Sequence, residues 1–418
     1  MPSAPENESF RRRSFLGSFS AIGFLGLPGQ GCTGSKTVGQ LAPNASEELE
    51  FDGEFLLPQD LVYLNCASLG PCPRIVMNAF TEALKQLESN PVHHAFGPML
   101  QQMEQVRGKA AGFLGCEKDE LSFTENATEA MNAIAQSIRF DRGDRILTSD
   151  QEHPGGSVCW EYFSRRSGVG IDKFSLGMPP KDEGEILDSI EKSLTPKTRV
   201  ISVSHVTYPT GVRLPIRRIG ELARSRGVML VVDGAQAVGM SPVSLSELSC
   251  DAYAASAHKW LLAPKGTGFL YVNRDAMDRI QPISLFSGPS AYSASSGTRS
   301  VPSVIGLGAS LDFFLKRGLD KVARHSMGLR AQLLDGLKRV SGIKVASPLA
   351  GSLASSMLSF SVNDKKTRSI AEALSEKSNI VVKVASSPGF DGLRISPHVY
   401  NDSKDMDKLL GSLRELLA

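Results

Sequence analysis

The sequence predicts an α/β protein whose larger domain is a mostly parallel sheet flanked by helices, followed by a smaller α+β domain. Three observations carry this expectation. The chain is 418 residues long, enough for two hydrophobic cores. Helix-like and strand-like segments alternate through its middle, the pattern of parallel strands joined by crossover helices. Near Ser303 the alternation gives way to a long helical region and short strands. The expected divisions are residues 1–31, a targeting segment; 32–50, a linker; 51–302, an N-terminal arm and the large domain; and 303–418, the small domain.

The first segment differs in kind. Arg11, Arg12 and Arg13 precede Ser14, Phe15 and Leu16, and an apolar, glycine-rich run continues from Gly17 to Leu27. Arginines directly before Phe-Leu and a weakly apolar middle resemble a twin-arginine signal peptide. A basic tail leading into a short buried helix is the other reading. The run is shorter than the roughly 20 residues of a membrane-spanning helix, and no other stretch qualifies. The resemblance implies the twin-arginine export machinery, which moves folded proteins, and a periplasmic location. Cys32, after Gly29-Gln30-Gly31, stands in a poor lipobox and is a candidate lipid anchor. Residues 32–50 read as a flexible linker.

Along the large domain, Thr128–Ile138 has helical spacing of Ala, Met and Ile. Arg145–Thr148 is a short strand, and Arg199–Val206 is an apolar, β-branched strand. Pro215–Arg226 is a helix with proline at its start. Val228–Val232 and Gly268–Val272 are further strands. In the small domain a helical region runs to about Val340. Strands follow at Ser356–Val362, Ile380–Ala385 and Leu393–Ser396, with helices at Thr367–Lys377 and Ser403–Leu417. Net charge is +2 with 22% charged residues, which argues against a large nucleic-acid or membrane-surface footprint. Cysteine spacing matches no zinc site or redox pair, so most of the thiols are expected to act as small buried hydrophobes.

Four motifs carry chemistry. Phe123-Thr124-Glu125-Asn126-Ala127-Thr128-Glu129-Ala130 opens a helix that Thr128 can cap, and the free amides of a first turn suit a phosphate. Alone it is an ordinary capping box. Asp150-Gln151-Glu152-His153-Pro154-Gly155-Gly156 follows a strand, and its histidine could stack on a flat ring, transfer a proton or simply occupy a loop. In Val231-Val232-Asp233-Gly234-Ala235-Gln236, an aspartate ends an apolar strand, which is costly unless a cation such as a protonated pyridine meets it. Capping the next helix is the alternative. Ser256-Ala257-His258-Lys259-Trp260-Leu261 puts a lysine among apolar residues between strands, where a desolvated amine becomes a better nucleophile. A lysine snorkelling to the surface would look the same.

Their order and spacing resemble the class V aminotransferase family of fold type I pyridoxal-phosphate enzymes, over nearly the whole chain after the linker. The resemblance implies a seven-stranded sheet and pyridoxal 5′-phosphate as cofactor. It makes Lys259 the Schiff-base lysine, Asp233 the partner of the pyridine nitrogen, His153 the group stacked on the ring and Gln236 the donor to the phenolic oxygen. Ala127, Thr128, Ser256 and His258 would hold the phosphate. Gly297-Thr298 of a neighbouring subunit would complete that site, implying a homodimer with shared active sites. Leu393-Arg394-Ile395-Ser396-Pro397-His398-Val399-Tyr400-Asn401 resembles the C-terminal motif whose arginine takes the substrate α-carboxylate, a task suited to a planar guanidinium. Tyr63-Leu64-Asn65-Cys66-Ala67-Ser68-Leu69-Gly70 resembles the loop closing over the substrate, which makes Asn65 a substrate contact.

Departures from the family pattern trim the reactions. No cysteine follows Cys250, and Val382-Lys383-Val384-Ala385-Ser386-Ser387 stands where one desulfurase branch carries Arg-x-Gly-x-His-Cys. That argues against desulfuration. Ser204-His205-Val206-Thr207-Tyr208-Pro209-Thr210-Gly211 is closer to the isopenicillin N epimerase-like branch, with Tyr208 lining the substrate pocket, donating a proton or packing. Export points to an amino-acid group of a secreted peptide or metabolite. A periplasmic enzyme resembling this branch tailors the glutamyl side of the siderophore pyoverdine. The expected activity is aminotransferase-like. The alternatives are an epimerase or racemase, with His153 or Tyr208 as second base beside Lys259, and an inactive binding protein, against which Lys259 and Asp233 speak.

Overall fold

A computed structural model describes residues 53–281, 299–363 and 367–417. The N-terminal arginines, Cys32, the linker and Gly297-Thr298 lie outside the described residues. The described residues all belong to one compact unit, Leu41–Ala418.

Strand β1 (Val62–Tyr63) leads into α1 (Arg74–Ser89), α2 (Pro91–Ala95) and α3 (Pro98–Leu114). The alternating region follows as β2 (Leu121–Thr124), α4 (Ala127–Ser137), β3 (Arg145–Ser149), α5 (Pro154–Ser167), β4 (Gly170–Phe174) and α6 (Glu183–Ser193). It continues through β5 (Thr198–Ser204), α7 (Ile216–Ser225), β6 (Met229–Asp233), β7 (Ala252–Ser256) and β8 (Gly268–Val272). These build a seven-stranded sheet in the order β2-β8-β7-β6-β5-β3-β4. Only β8 runs against its neighbours; the other pairings are parallel. Central strands such as β6 are buried along their whole length, as strands covered on both faces must be, and so read as unbroken apolar runs. Side chains of α3, α6 and α7 pack into the core on one face, and those of α4 and α5 into the core on the other.

Three strands escape a reading by propensity. β7 reads Ala-Tyr-Ala-Ala-Ser, poor in β-branched residues, yet Ala252 and Ala254 share a core with Ala127, Ala130 and Ile134 of α4. Small side chains there let the helix lie close to the sheet. β4 is a half-exposed edge without a strong pattern, and β2 has only four residues.

The C-terminal part comprises α8 (Val301–Arg317), α9 (Leu319–Leu337), β9 (Ile343–Val345), β10 (Leu358–Val362), α10 (Thr367–Ser378), β11 (Ile380–Val381), β12 (Lys383–Ser387), β13 (Phe390–Ile395) and α11 (Ser403–Leu417). The helical region expected to run to about Val340 consists of two helices, divided at Gly318, which adopts φ +80°, a conformation that costs glycine little. The strand expected at Ile380–Ala385 is likewise divided. β11 pairs in parallel with β1, while β12 joins an antiparallel sheet in the order β12-β13-β10-β9. A separate core of Leu333, Leu337, Phe360, Leu374, Leu393 and Leu409 holds this smaller α+β domain together. Among the described residues no helix is long and apolar enough to cross a membrane, and no acidic, histidine or cysteine group is arranged to hold a metal. The five described cysteines are free, and Cys66, Cys159 and Cys250 are buried.

Candidate active site

The carboxyl ends of β5, β6 and β7 converge with the turn after β3, where open α/β sheets bind ligands. Asp233 is the last residue of β6 and is 7% exposed. Its Oδ1 accepts the Ala235 N–H at 2.9 Å. A Cβ at Gly156 would lie 2.5 Å from its Oδ2, so the first turn of α5 approaches the carboxylate as only glycine allows. A carboxylate this buried calls for a cation.

Lys259 lies three residues beyond β7. Burial pulls its ammonium down to about 8; Arg394 adds to the shift and Asp233 opposes it. A substantial free-amine fraction near neutrality is the chemical consequence. The loop from Asn65 to Gly70 docks on the backbone here, with Gly70 N–H donating to the His258 carbonyl at 2.9 Å. Gln236 Nε2 donates to the Ala67 carbonyl at 3.0 Å, and Gln236 Oε1 accepts from Trp260 Nε1 at 2.8 Å. The indole thereby fixes which end of the amide donates, and Nε2 retains a second N–H.

The α4 N-terminus forms the neighbouring corner. Its cap is Asn126, not Thr128 as the sequence suggests: Asn126 is extended and its Oδ1 accepts the Glu129 N–H at 2.9 Å. Thr128 instead sits in the first turn. Ala127 N–H donates to Ser256 Oγ at 3.0 Å, joining two groups that the resemblance assigns to phosphate. Burial lowers the His258 imidazole to about 4, and its Nδ1 is buried without a partner.

Across the site, His153 caps α5, its Nδ1 accepting the Gly155 N–H at 3.0 Å. That places the proton of the neutral ring on Nε2, and burial, with help from Lys259, holds its pKa below the usual histidine range. The Tyr208 ring stands edge-on to His153 with centroids 4.9 Å apart. Arg394, from β13, is 1% exposed. Nη1 donates to the Tyr208 carbonyl at 3.0 Å and Nη2 to Ser68 Oγ at 3.0 Å. Asn65 Oδ1 lies 3.5 Å from Nη2 and accepts from Ser68 at 2.7 Å, so Asn65 and Ser68 orient the guanidinium. None of its neutral partners satisfies the charge, and Nε has no partner. Burial lowers Arg394 to about 10, which still leaves it cationic.

Glu152 is a site residue that motif reading passes over in favour of the adjacent histidine. Ser149 Oγ and Ser204 Oγ both donate to its carboxylate, and Ser204 is the register partner of Asp233. Burial, reinforced by Asp233, raises it to about 7. Its signal in the sequence is an acid three residues beyond the buried strand β3, near the strand end as Asp233 is at the end of β6.

The residues present fit pyridoxal 5′-phosphate. Asp233 awaits a cation such as a pyridinium, the low-pKa amine of Lys259 suits an aldehyde, and the orphaned His258 Nδ1 stands ready for a phosphate or a bridging water. Ala127, Thr128, Ser256 and His258 would hold the phosphate, Asp233 and Gln236 the ring substituents and His153 its face.

Comparison with known proteins agrees. The sequence profile described as "Aminotransferase class-V" matches residues 62–409. Isopenicillin N epimerase from Amycolatopsis lactamdurans is 31% identical over 396 residues, covering 89% of this chain and 98% of that protein. A probable cysteine desulfurase from Methanothermobacter thermautotrophicus is 29% identical over 392 residues, covering 86% and 96%. Among solved structures, a C-DES mutant with glycine covalently linked to the PLP cofactor superposes with a TM-score of 0.78 at 24% identity, covering 85% of this chain and 97% of that one.

Proposed function

We propose that this chain, which belongs to the class V aminotransferase family of pyridoxal-phosphate enzymes, acts at the amino group or α-carbon of an amino acid or an amino-acid moiety of a secreted metabolite. The observation that carries the reading is Arg394, a fully buried guanidinium with no carboxylate among its contacts in the described residues, in a site where it bears electrostatically on Lys259. An α-carboxylate supplies the missing charge and two acceptor oxygens in the plane of the fork.

When bound, pyridoxal phosphate supplies the electron sink that weakens the bonds at the substrate α-carbon. Everything else falls to side chains. Arg394, oriented by Ser68, Asn65 and the Tyr208 carbonyl, holds the carboxylate. Asp233 would pair with the ring nitrogen in its protonated form. Lys259, free-amine in part at neutral pH, is the covalent attachment point and takes or returns a proton at Nζ. Nε2 of His153 carries the proton that its Nδ1 bond displaces there.

Epimerisation is the second reading. It needs a second acid or base, and the Tyr208–His153 ring pair supplies two candidates. Incubation with amino acids in deuterated water separates the readings: aminotransfer gives oxoacid and a converted cofactor, epimerisation gives α-deuteration without oxoacid. A protein that neither exchanges the α-proton nor releases oxoacid with any amino acid or peptide tested refutes both and leaves the binding-protein alternative.

Three further parts belong to the proposal. Arg11-Arg12-Arg13 before Phe15-Leu16 supports export to the periplasm by the twin-arginine route. Replacing Arg12 and Arg13 by lysine should hold the protein in the cytoplasm on cell fractionation, and unchanged export would refute it. Gly297-Thr298 supports a homodimer whose subunits share active sites, to be checked by sedimentation. Cys32 supports a lipid anchor, to be checked by mass spectrometry of the mature protein.

A further inference from the structure

The small-domain sheet presents one face to the candidate site. β12 and β13 are antiparallel and in register, with Lys383 directly opposite Arg394 and Ala385 opposite Gly392. Directly opposed residues of an antiparallel pair share a face, so Lys383, Ala385, Phe390 and Arg394 all project from one side. Two observations show that this side looks toward the site. Ala385 and Phe390 pack with Met178 and Tyr208, and the Arg394 guanidinium lies 5.5 Å from the centre of the Tyr208 ring. Lys383 is exposed, and no acid pairs with it among the described residues. Its charge is felt at His153, where it helps keep the imidazole neutral.

We propose that Lys383 forms a second anion subsite beside Arg394, selecting amino-acid substrates that carry a further acidic group beyond the α-carboxylate. The inference rests on the amino-acid reading above and narrows it to a substrate class. With the α-carboxylate on Arg394 and the α-carbon at Lys259, a side chain directed toward the β12 end meets the Lys383 ammonium. The titratable groups around that path are Arg394, Lys259, Asp233 and the neutral His153, and Asp233 would be taken up by the ring nitrogen. The competing account is that Lys383, on an edge strand, only discourages pairing with other sheets.

Holoprotein titrated with L-aspartate, L-glutamate, L-asparagine and L-glutamine, read by the absorbance change of the bound cofactor, separates the two accounts. The acids should bind on the order of tenfold tighter than the amides, the scale of one charge-assisted hydrogen bond. Lys383→Met should abolish that preference by weakening acid binding to the level of the amides, and Lys383→Arg should retain it. Equal binding of acids and amides, or a preference that survives Lys383→Met, overturns the subsite. Absence of any spectral response to all four amino acids and to amino-acid-bearing peptides overturns the amino-acid reading itself, and the subsite with it.

Discussion

If burial holds the Lys259 amine near 8 instead of 10.5, the rate at which apoprotein takes up pyridoxal phosphate covalently should report it. Only the unprotonated amine attacks an aldehyde. At pH 7.5 an amine of pKa about 8 is roughly one-quarter free, against about one-thousandth for an ordinary lysine, a difference of about 200-fold. Uptake followed by stopped-flow absorbance should therefore rise about tenfold per pH unit in the acid range and bend to a plateau near pH 8. Two substitutions test the cause by sign. Asp233 favours the ammonium, so Asp233→Asn should move the bend to lower pH. Arg394 disfavours it, so Arg394→Met should move the bend to higher pH. Lys259→Ala should show no borohydride-fixable cofactor. A profile that climbs without bending to pH 10, or bends that move opposite to these signs, would refute the desolvation argument.

Glu152 offers a stability test that needs no cofactor. Its folded-state pKa lies above the ordinary carboxylate value, so the native protein holds a proton that the unfolded chain releases. Its contribution to stability is full below about pH 4.5 and is lost as pH rises through about 7, by up to about 3 kcal/mol. Urea unfolding of apo Glu152→Gln should show a flatter dependence between pH 5 and 8 than the parent, and identical slopes would refute the assignment. At Gly156, alanine would place a methyl 2.5 Å from Asp233 Oδ2 and push the carboxylate out of line. Gly156→Ala should lose cofactor on dialysis about tenfold faster, and unchanged retention would show that the turn can yield.

Local patterns made much of this molecule legible. Lys259 and Asp233 stand out because a charge inside an apolar run demands a partner, and Arg394 because of the motif around it. Ser403–Leu417 and Gly268–Val272 are helix and strand as periodicity and length suggest. Elsewhere local signals misled. Thr128 is a good capping residue, but the chain turns into the helix at Asn126. β7 carries almost no β-propensity and is a strand because alanines let α4 lie against the sheet.

The sequence by itself displayed which chemical groups exist and in what order: the His153 imidazole, the Asp233 carboxylate, the Lys259 amine and the Arg394 guanidinium. These are set by short-range spacing, which a linear chain displays directly. Only the tertiary structure decided how desolvated Lys259 is, that Ser149 and Ser204 cradle Glu152 behind Asp233, that Trp260 orients Gln236, and that Lys383 shares a face with Arg394. Burial and strand register are sums over residues remote in sequence; Ser204 and Glu152 are 52 positions apart. No local pattern can record a field or a neighbour that exists only once the chain has folded.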